Sequence, residues 1–273
     1  MSFVNIRIAR QRVWLWILAF VITAGSALYQ RMTGPTYPYR GKVTIGEETV
    51  TFKLLRSETV NTDAAVKLEI ANDEVGGIIR YRRYKSHDGW ADIPLQREGD
   101  HLVAYLPHQP AAGKLMYFVY LNWGEEEVSL SGGEPVIIRY KGAVPDAVLI
   151  PHVLFMFLAM LYSNRAALES LDAQGNARRL MLWTMSFFFI GGFILGPVVQ
   201  KYAFDALWTG FPFGYDLTDN KTLIAMLGWV WAWFRNRNGR QERGWIFFAA
   251  LLMLAVYLIP HSVLGSEIDY TKQ

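Results

Sequence analysis

The chain has 273 residues, 52% hydrophobic and 15% aromatic, which is too apolar for an ordinary soluble protein and long enough for one compact domain beside a membrane part. Its formal charge is only +3, and the absence of cysteine excludes a disulfide framework, a thiolate metal site, a thiol nucleophile and c-type haem attachment. Phosphate-binding loops, dinucleotide fingerprints, Gly-x-Ser-x-Gly elements and basic, aromatic-interleaved runs are also missing, so no nucleic-acid partner is expected.

In chain order, the first apolar run covers residues 13–29 behind Arg7, Arg10 and Arg12. Its basic flank and the small residues Ala24–Ala27 also fit a signal peptide, but a run of this length favours an uncleaved anchor. Residues 37–142 then change character. Segments such as "TVTFKLL", "AVKLEI", "GIIRYRRY", "HLVAYLP", "LMYFVYL" and "PVIIRY" alternate apolar and polar residues between turn-formers, which predicts an all-β sandwich. The run "DGWADIPLQREGDHLVAYLPHQPAAGKLMYFVYL" resembles fibronectin-type and immunoglobulin-like modules, a resemblance that speaks to fold only. The cations of "RYRRYK" and the histidines His87, His101 and His108 read as solvated surface, with no ligand spacing among the histidines.

Four more apolar runs follow, near 148–162, 180–199, 222–234 and 245–260. A crossing helix needs about 20 apolar residues, so the fourth span of the chain is short: its helix begins earlier, inside "DLTDNK", or its outer end sits in a wet, protein-lined recess. The segments before the first span, between the second and third, and between the fourth and fifth hold ten arginines against Glu169, Asp172 and Glu242. Residues 30–144 instead hold fourteen Lys and Arg against fifteen Asp and Glu. The positive-inside rule then predicts an integral protein of the inner (cytoplasmic) membrane, N-terminus inside, C-terminus outside, with the β-domain exported to the periplasmic side. The expected fold is an anchor with cytoplasmic N-terminus (1–36), an exported β-sandwich (37–142) and a C-terminal four-helix transmembrane domain with an outward-facing polar rim (143–273).

On that rim the sequence places His152, Gln200, Lys201, Asp205, the segment "WTGFPFGYDLTDNKTL" and His261. One reading of the segment is structural. Asp216, Thr218 and Asp219 suit a helix N-cap, interfacial aromatics need no ligand, and Gly192-x-x-x-Gly196 permits close helix approach. The other reading is a site. Two imidazoles, His152 and His261, flank Trp208, Phe211, Phe213 and Tyr215, and Asp216 or Asp219 could orient an imidazole or bind a metal.

Trp208, the Tyr215-Asp216 pair and the following "LTDNKTLIAMLGW" resemble the external tryptophan-rich "WWD" segment of haem-handling membrane proteins of cytochrome c maturation. Phe211, Phe213 and Tyr215 stand where that family has tryptophans. The resemblance implies haem as cofactor, with His152 and His261 as its external ligands. Two alternatives stay open. One is a metal-dependent membrane enzyme holding Zn²⁺ or another divalent ion on His152, His261, Asp216 and Asp219. The other is a non-catalytic accessory subunit of an envelope complex, in contact with membrane lipid and partner proteins.

Overall fold

The computed structural model describes residues 3–172, 174–260, 265 and 267–272, with side chains from Val13 onward. It divides into two compact units. A helical unit takes the chain up to Gly34, Val144–Tyr202 and Ala206–Gly265, and a β-unit takes Pro35–Ala143, Ala203–Asp205 and the C-terminal segment.

The β-unit contains eleven strands among the described residues: β1 (Tyr39–Ile45), β2 (Glu48–Leu54), β3 (Ser57–Thr59), β4 (Ala64–Glu69), β5 (Gly76–Arg83), β6 (Ala91–Pro94), β7 (Gln96–Glu98), β8 (His101–Leu106), β9 (Lys114–Trp123), β10 (Glu126–Ser129) and β11 (Val136–Lys141). One sheet runs β3-β11-β9-β5-β6, with β10 folded back on β9. A second runs β4-β8-β7, and β1-β2 is a hairpin beside β4. Alternation dictates this arrangement. In β2 and β4 every second residue is buried, so Val50, Phe52, Leu54, Ala64, Val66 and Leu68 face inward. They join Ile79, Leu106, Leu115, Tyr117, Val119, Leu121, Ile138 and Tyr140 in one core. The buried Tyr117 hydroxyl donates to the Leu55 carbonyl at 2.8 Å, so the ring brings no unsatisfied polar atom into that core.

The cations of the β5 edge are not simply solvated. Arg80 and Arg83 make two-pronged ion pairs with Asp92 and Asp88, and Arg82 lies over the Trp90 ring at 4.7 Å. The C-terminal segment belongs to the same unit. Ile268 N–H donates to the Ala112 carbonyl at 3.3 Å, Glu267 bridges Lys85 and Lys114, and the Tyr270 ring lies under Arg83 at 4.4 Å.

The helical unit consists of α1 (Phe3–Thr33), α2 (Asp146–Ser170), α3 (Ala177–Phe188), α4 (Gly196–Phe204), α5 (Leu217–Arg235) and α6 (Arg243–Leu258). A wide π-helical turn, Phe189–Leu195, joins α3 to α4, so Ala177–Phe204 is one continuous rod. Among the described residues three helices are long and apolar enough to cross a membrane: Val13–Thr33, Asp146–Ser170 and Ala177–Phe204. The helix α6 is apolar but shorter, and α5 begins inside "DLTDNK" as its sequence predicts. Packing runs through small residues. Ala159, Ala225, Ala232, Ala249 and Ala250 are buried beside Trp229 and Met253, where α2, α3, α5 and α6 meet.

One reading of the sequence needs correction. Arg165 and Glu169 are not loop residues, because α2 continues to Ser170 and buries both. Arg165 Nη2 pairs with Glu169 Oε2 at 2.6 Å one helical turn away, and its guanidinium lies 5.5 Å from the Trp16 ring centre. Glu169 Oε1 also accepts the Asn176 N–H at 2.9 Å, tying the end of α2 to the start of α3. The sequence gives no hint of this because an Arg–Glu pair four residues apart reads equally well as solvated surface.

Candidate functional site

The chain turns out of α4 at Asp205 and re-enters helix at Leu217, so the aromatic-acidic segment is a helix-to-helix loop. Both of its acids have defined structural roles. Asp216 caps α5, its Oδ1 accepting the N–H groups of Thr218 at 2.8 Å and Asp219 at 3.4 Å. Asp219, in the first turn, folds back under the loop. Its Oδ2 accepts the N–H of Thr209 at 2.6 Å, the N–H of Gly210 at 3.0 Å and the Gln200 amide at 3.2 Å. Asn220 Oδ1 accepts the Phe211 N–H at 2.7 Å. The loop closes on itself as Phe213 and Gly214 donate to the Gly210 carbonyl and Asp216 N–H donates to Thr209. Only glycine fits at 210, since a Cβ there would meet the Asp219 Cβ at 2.5 Å.

A loop held this tightly still turns three large rings outward. Phe211, Phe213 and Tyr215 are 66%, 82% and 94% exposed. Trp208 alone turns back, stacking on Phe193 of the π-turn at 5.8 Å, and Phe193 stacks on Phe189 at 6.1 Å.

The same π-turn holds His152. Its Nδ1 lies 3.0 Å from the Gly191 carbonyl, which also accepts the Gly196 N–H that closes the wide turn. A carbonyl only accepts, so Nδ1 carries the proton and the lone pair of the neutral ring sits on Nε2. Gly191 permits this approach, because a Cβ there would lie 3.1 Å from the Met156 backbone nitrogen on α2. Gly192 lies equally close to Thr222 of α5. The π-turn thus connects His152, through Gly191, with Trp208, through Phe193.

His261 lies outside the described residues. Two positions before it, the Ile259 carbonyl accepts from the Lys221 ammonium at 2.6 Å, and elsewhere on the rim Gln200 donates to Thr209 Oγ1 at 2.6 Å. Among the described residues, no three His, Asp or Glu side chains come together as a metal would require. Sequence reasoning did not identify Thr209, the Gly191 carbonyl or the Lys221–Ile259 contact. A backbone acceptor exposed by a π-turn has no residue signature, and Thr209 acts largely through its backbone.

Comparison of the chain with protein-family models, curated proteins and solved structures returns no match.

Proposed function

We propose that this is an integral membrane subunit of a larger envelope assembly, which grips a partner protein through the loop at residues 208–216. The observation that carries this reading is rigidity combined with exposure. Five amide N–H groups, those of Thr209, Gly210, Phe211, Phe213 and Gly214, are bonded, while Phe211, Phe213 and Tyr215 project outward. Aromatic anchors held in advance lose little freedom on association, which is how a few residues come to dominate an interface. In this reading α5 and α6 also cross the bilayer, giving four C-terminal spans, and the loop and β-unit lie on the outer side. The strand orders β4-β8-β7 and β11-β9-β5-β6 support an immunoglobulin-like Greek-key module that would offer the partner a second surface.

The test is photocrosslinking in native membranes with benzoylphenylalanine at Phe213. The expected product is one discrete protein adduct that disappears when Phe211 and Tyr215 are both changed to alanine. Adducts to lipid alone, or a protein adduct indifferent to those changes, would overturn the reading in favour of interfacial anchoring.

The His152 ring favours a second reading, an outward-facing haem-binding or haem-handling site. Its Nδ1–H is fixed by a backbone carbonyl, the usual way a protein orients an imidazole ligand, and Nε2 keeps the lone pair that iron requires. Trp208 on Phe193 supplies a stacking surface reached through the same turn. His261 would be the second ligand. The carboxylates of Asp216 and Asp219 already accept amide N–H groups, so a carboxylate-bound Zn²⁺ fits less well than haem. A Soret band in the purified protein that is lost in His152→Ala would support this reading, and a colourless, folded wild-type protein would end it.

A further inference from the structure

On the outer face of the β-unit, β1, β2, β4 and the start of β8 enclose an open groove of about 620 Å³. Its lining includes Arg40 and Lys42 from β1, Lys53 from β2, Lys67 and Glu69 from β4, and His101 from β8. Four cations therefore face one carboxylate. Arg40 and Lys53 are direct cross-strand partners, a placement that like charges disfavour. Elsewhere on the unit Arg80, Arg83, Lys85, Arg97 and Lys114 each have a carboxylate partner. Among the described residues, Arg40, Lys42, Lys53 and Lys67 have none. The groove thus gathers four of the unit's unpaired cations on three neighbouring strands.

We propose that this groove binds a short segment of an acidic polysaccharide. Adjacent strands lie about 5 Å apart and alternate residues about 7 Å apart, so the cations form a lattice on the scale of one acidic group per sugar. The remaining lining suits hydroxyl-bearing rings. Glu69 accepts from sugar hydroxyls, Thr51 both donates and accepts, and His101 lies directly opposite Glu69. A nucleic-acid strand would need a row of exposed rings for successive bases, whereas the lining has only Phe52, buried against Gly41, and the single imidazole of His101. A bilayer surface is too flat to enter a concave site.

The test uses the full chain in nanodiscs of neutral phosphatidylcholine, with hexagalacturonate as probe and uncharged maltohexaose as control. Hexagalacturonate is expected to bind, more weakly as salt rises, and maltohexaose is not. Lys53→Gln and Lys67→Gln should each weaken binding about fivefold, the factor equivalent to ~1 kcal/mol for unit charges in water. Glu69→Gln should tighten it, a gain that a misfolded protein would not show. No binding of hexagalacturonate, or binding indifferent to the three variants, would overturn the proposal. So would equal or tighter binding of oligothymidylate or phosphatidylglycerol bicelles with the same variant response, since the groove would then serve nucleic acid or lipid.

Discussion

Asp219→Ala should loosen the aromatic loop without unfolding the helices around it. In the wild-type protein one carboxylate oxygen accepts the N–H groups of Thr209 and Gly210 and the amide of Gln200. A hydrogen bond to a charged group contributes about 1.5–3 kcal/mol, and a buried donor left without a partner adds a comparable penalty. Removing the acceptor from two backbone N–H groups therefore costs the closed loop at least ~3 kcal/mol. At 1.4 kcal/mol per factor of ten, that corresponds to about a hundredfold faster amide exchange at Thr209 and Gly210. Asp219→Asn keeps an acceptor but loses the charge, and the effect should fall to roughly half on a logarithmic scale. Hydrogen–deuterium exchange with mass spectrometry on peptides covering residues 205–216, in detergent, makes the measurement. Exchange in Asp219→Ala within a factor of about three of wild type would show that the carboxylate does not hold the loop, and the argument from rigidity would fail with it.

The Arg165–Glu169 pair is buried at both ends, so Glu169→Ala should destabilise the helical unit by about 3–5 kcal/mol by stranding the guanidinium. The double change Arg165→Met with Glu169→Leu should recover most of that loss, and thermal unfolding followed by tryptophan fluorescence compares the two. At the C-terminus, burial alone would raise the Glu267 carboxyl, but the ammonium groups of Lys85 and Lys114 outweigh it and hold it below the ordinary carboxylate range. Burial also lowers the Lys114 ammonium despite its ion pair, so the contribution of the contact is better read from the carboxylate, which both lysines contact. A carboxyl depressed in the folded state stabilises above its unfolded pKa, and that contribution is lost as pH falls through its folded value. The amides of residues 267–272 should therefore be protected from exchange at neutral pH, and Glu267→Gln should expose them there. The wild-type tail should be released only below the ordinary carboxylate range, which hydrogen–deuterium exchange of the same residues across that pH range, corrected for the intrinsic rate, would register.

Where a single period governed the fold, the sequence made it legible. The alternation of "TVTFKLL" and "AVKLEI" is the alternation of buried and exposed residues in β2 and β4, and the cap signal in "DLTDNK" marks where α5 starts. What could not be read depends on a second segment arriving. Asp219 looks like a first-turn acid that complements the helix dipole, and only the folded loop shows it accepting four donors from residues 200–210. Gly192 and Gly196 read as a helix-contact signal, beside Gly191. They do lie against α2 and α5, but the π-turn that turns a carbonyl toward His152 has no pattern of its own. Charge behaved similarly. The near balance of residues 30–144 conceals a strand, β5, where Arg80 and Arg83 are paired and a groove where the cations are not.

The tail that docks on the β-unit also counts the membrane crossings. The chain leaves the β-unit after β11, rejoins it at Ala203–Asp205 and returns again at Glu267, so it must cross an even number of times in each interval. If α2 and the Ala177–Phe204 rod both cross, the chain has already returned, and α5 and α6 must either both traverse the bilayer or both stay out of it. Their 19 and 16 residues span roughly 28 and 24 Å at 1.5 Å per residue, short of the ~30 Å hydrocarbon core. A charge or insertion that stops one of them from crossing would thus have to expel the other, or tear residues 267–272 from their seat.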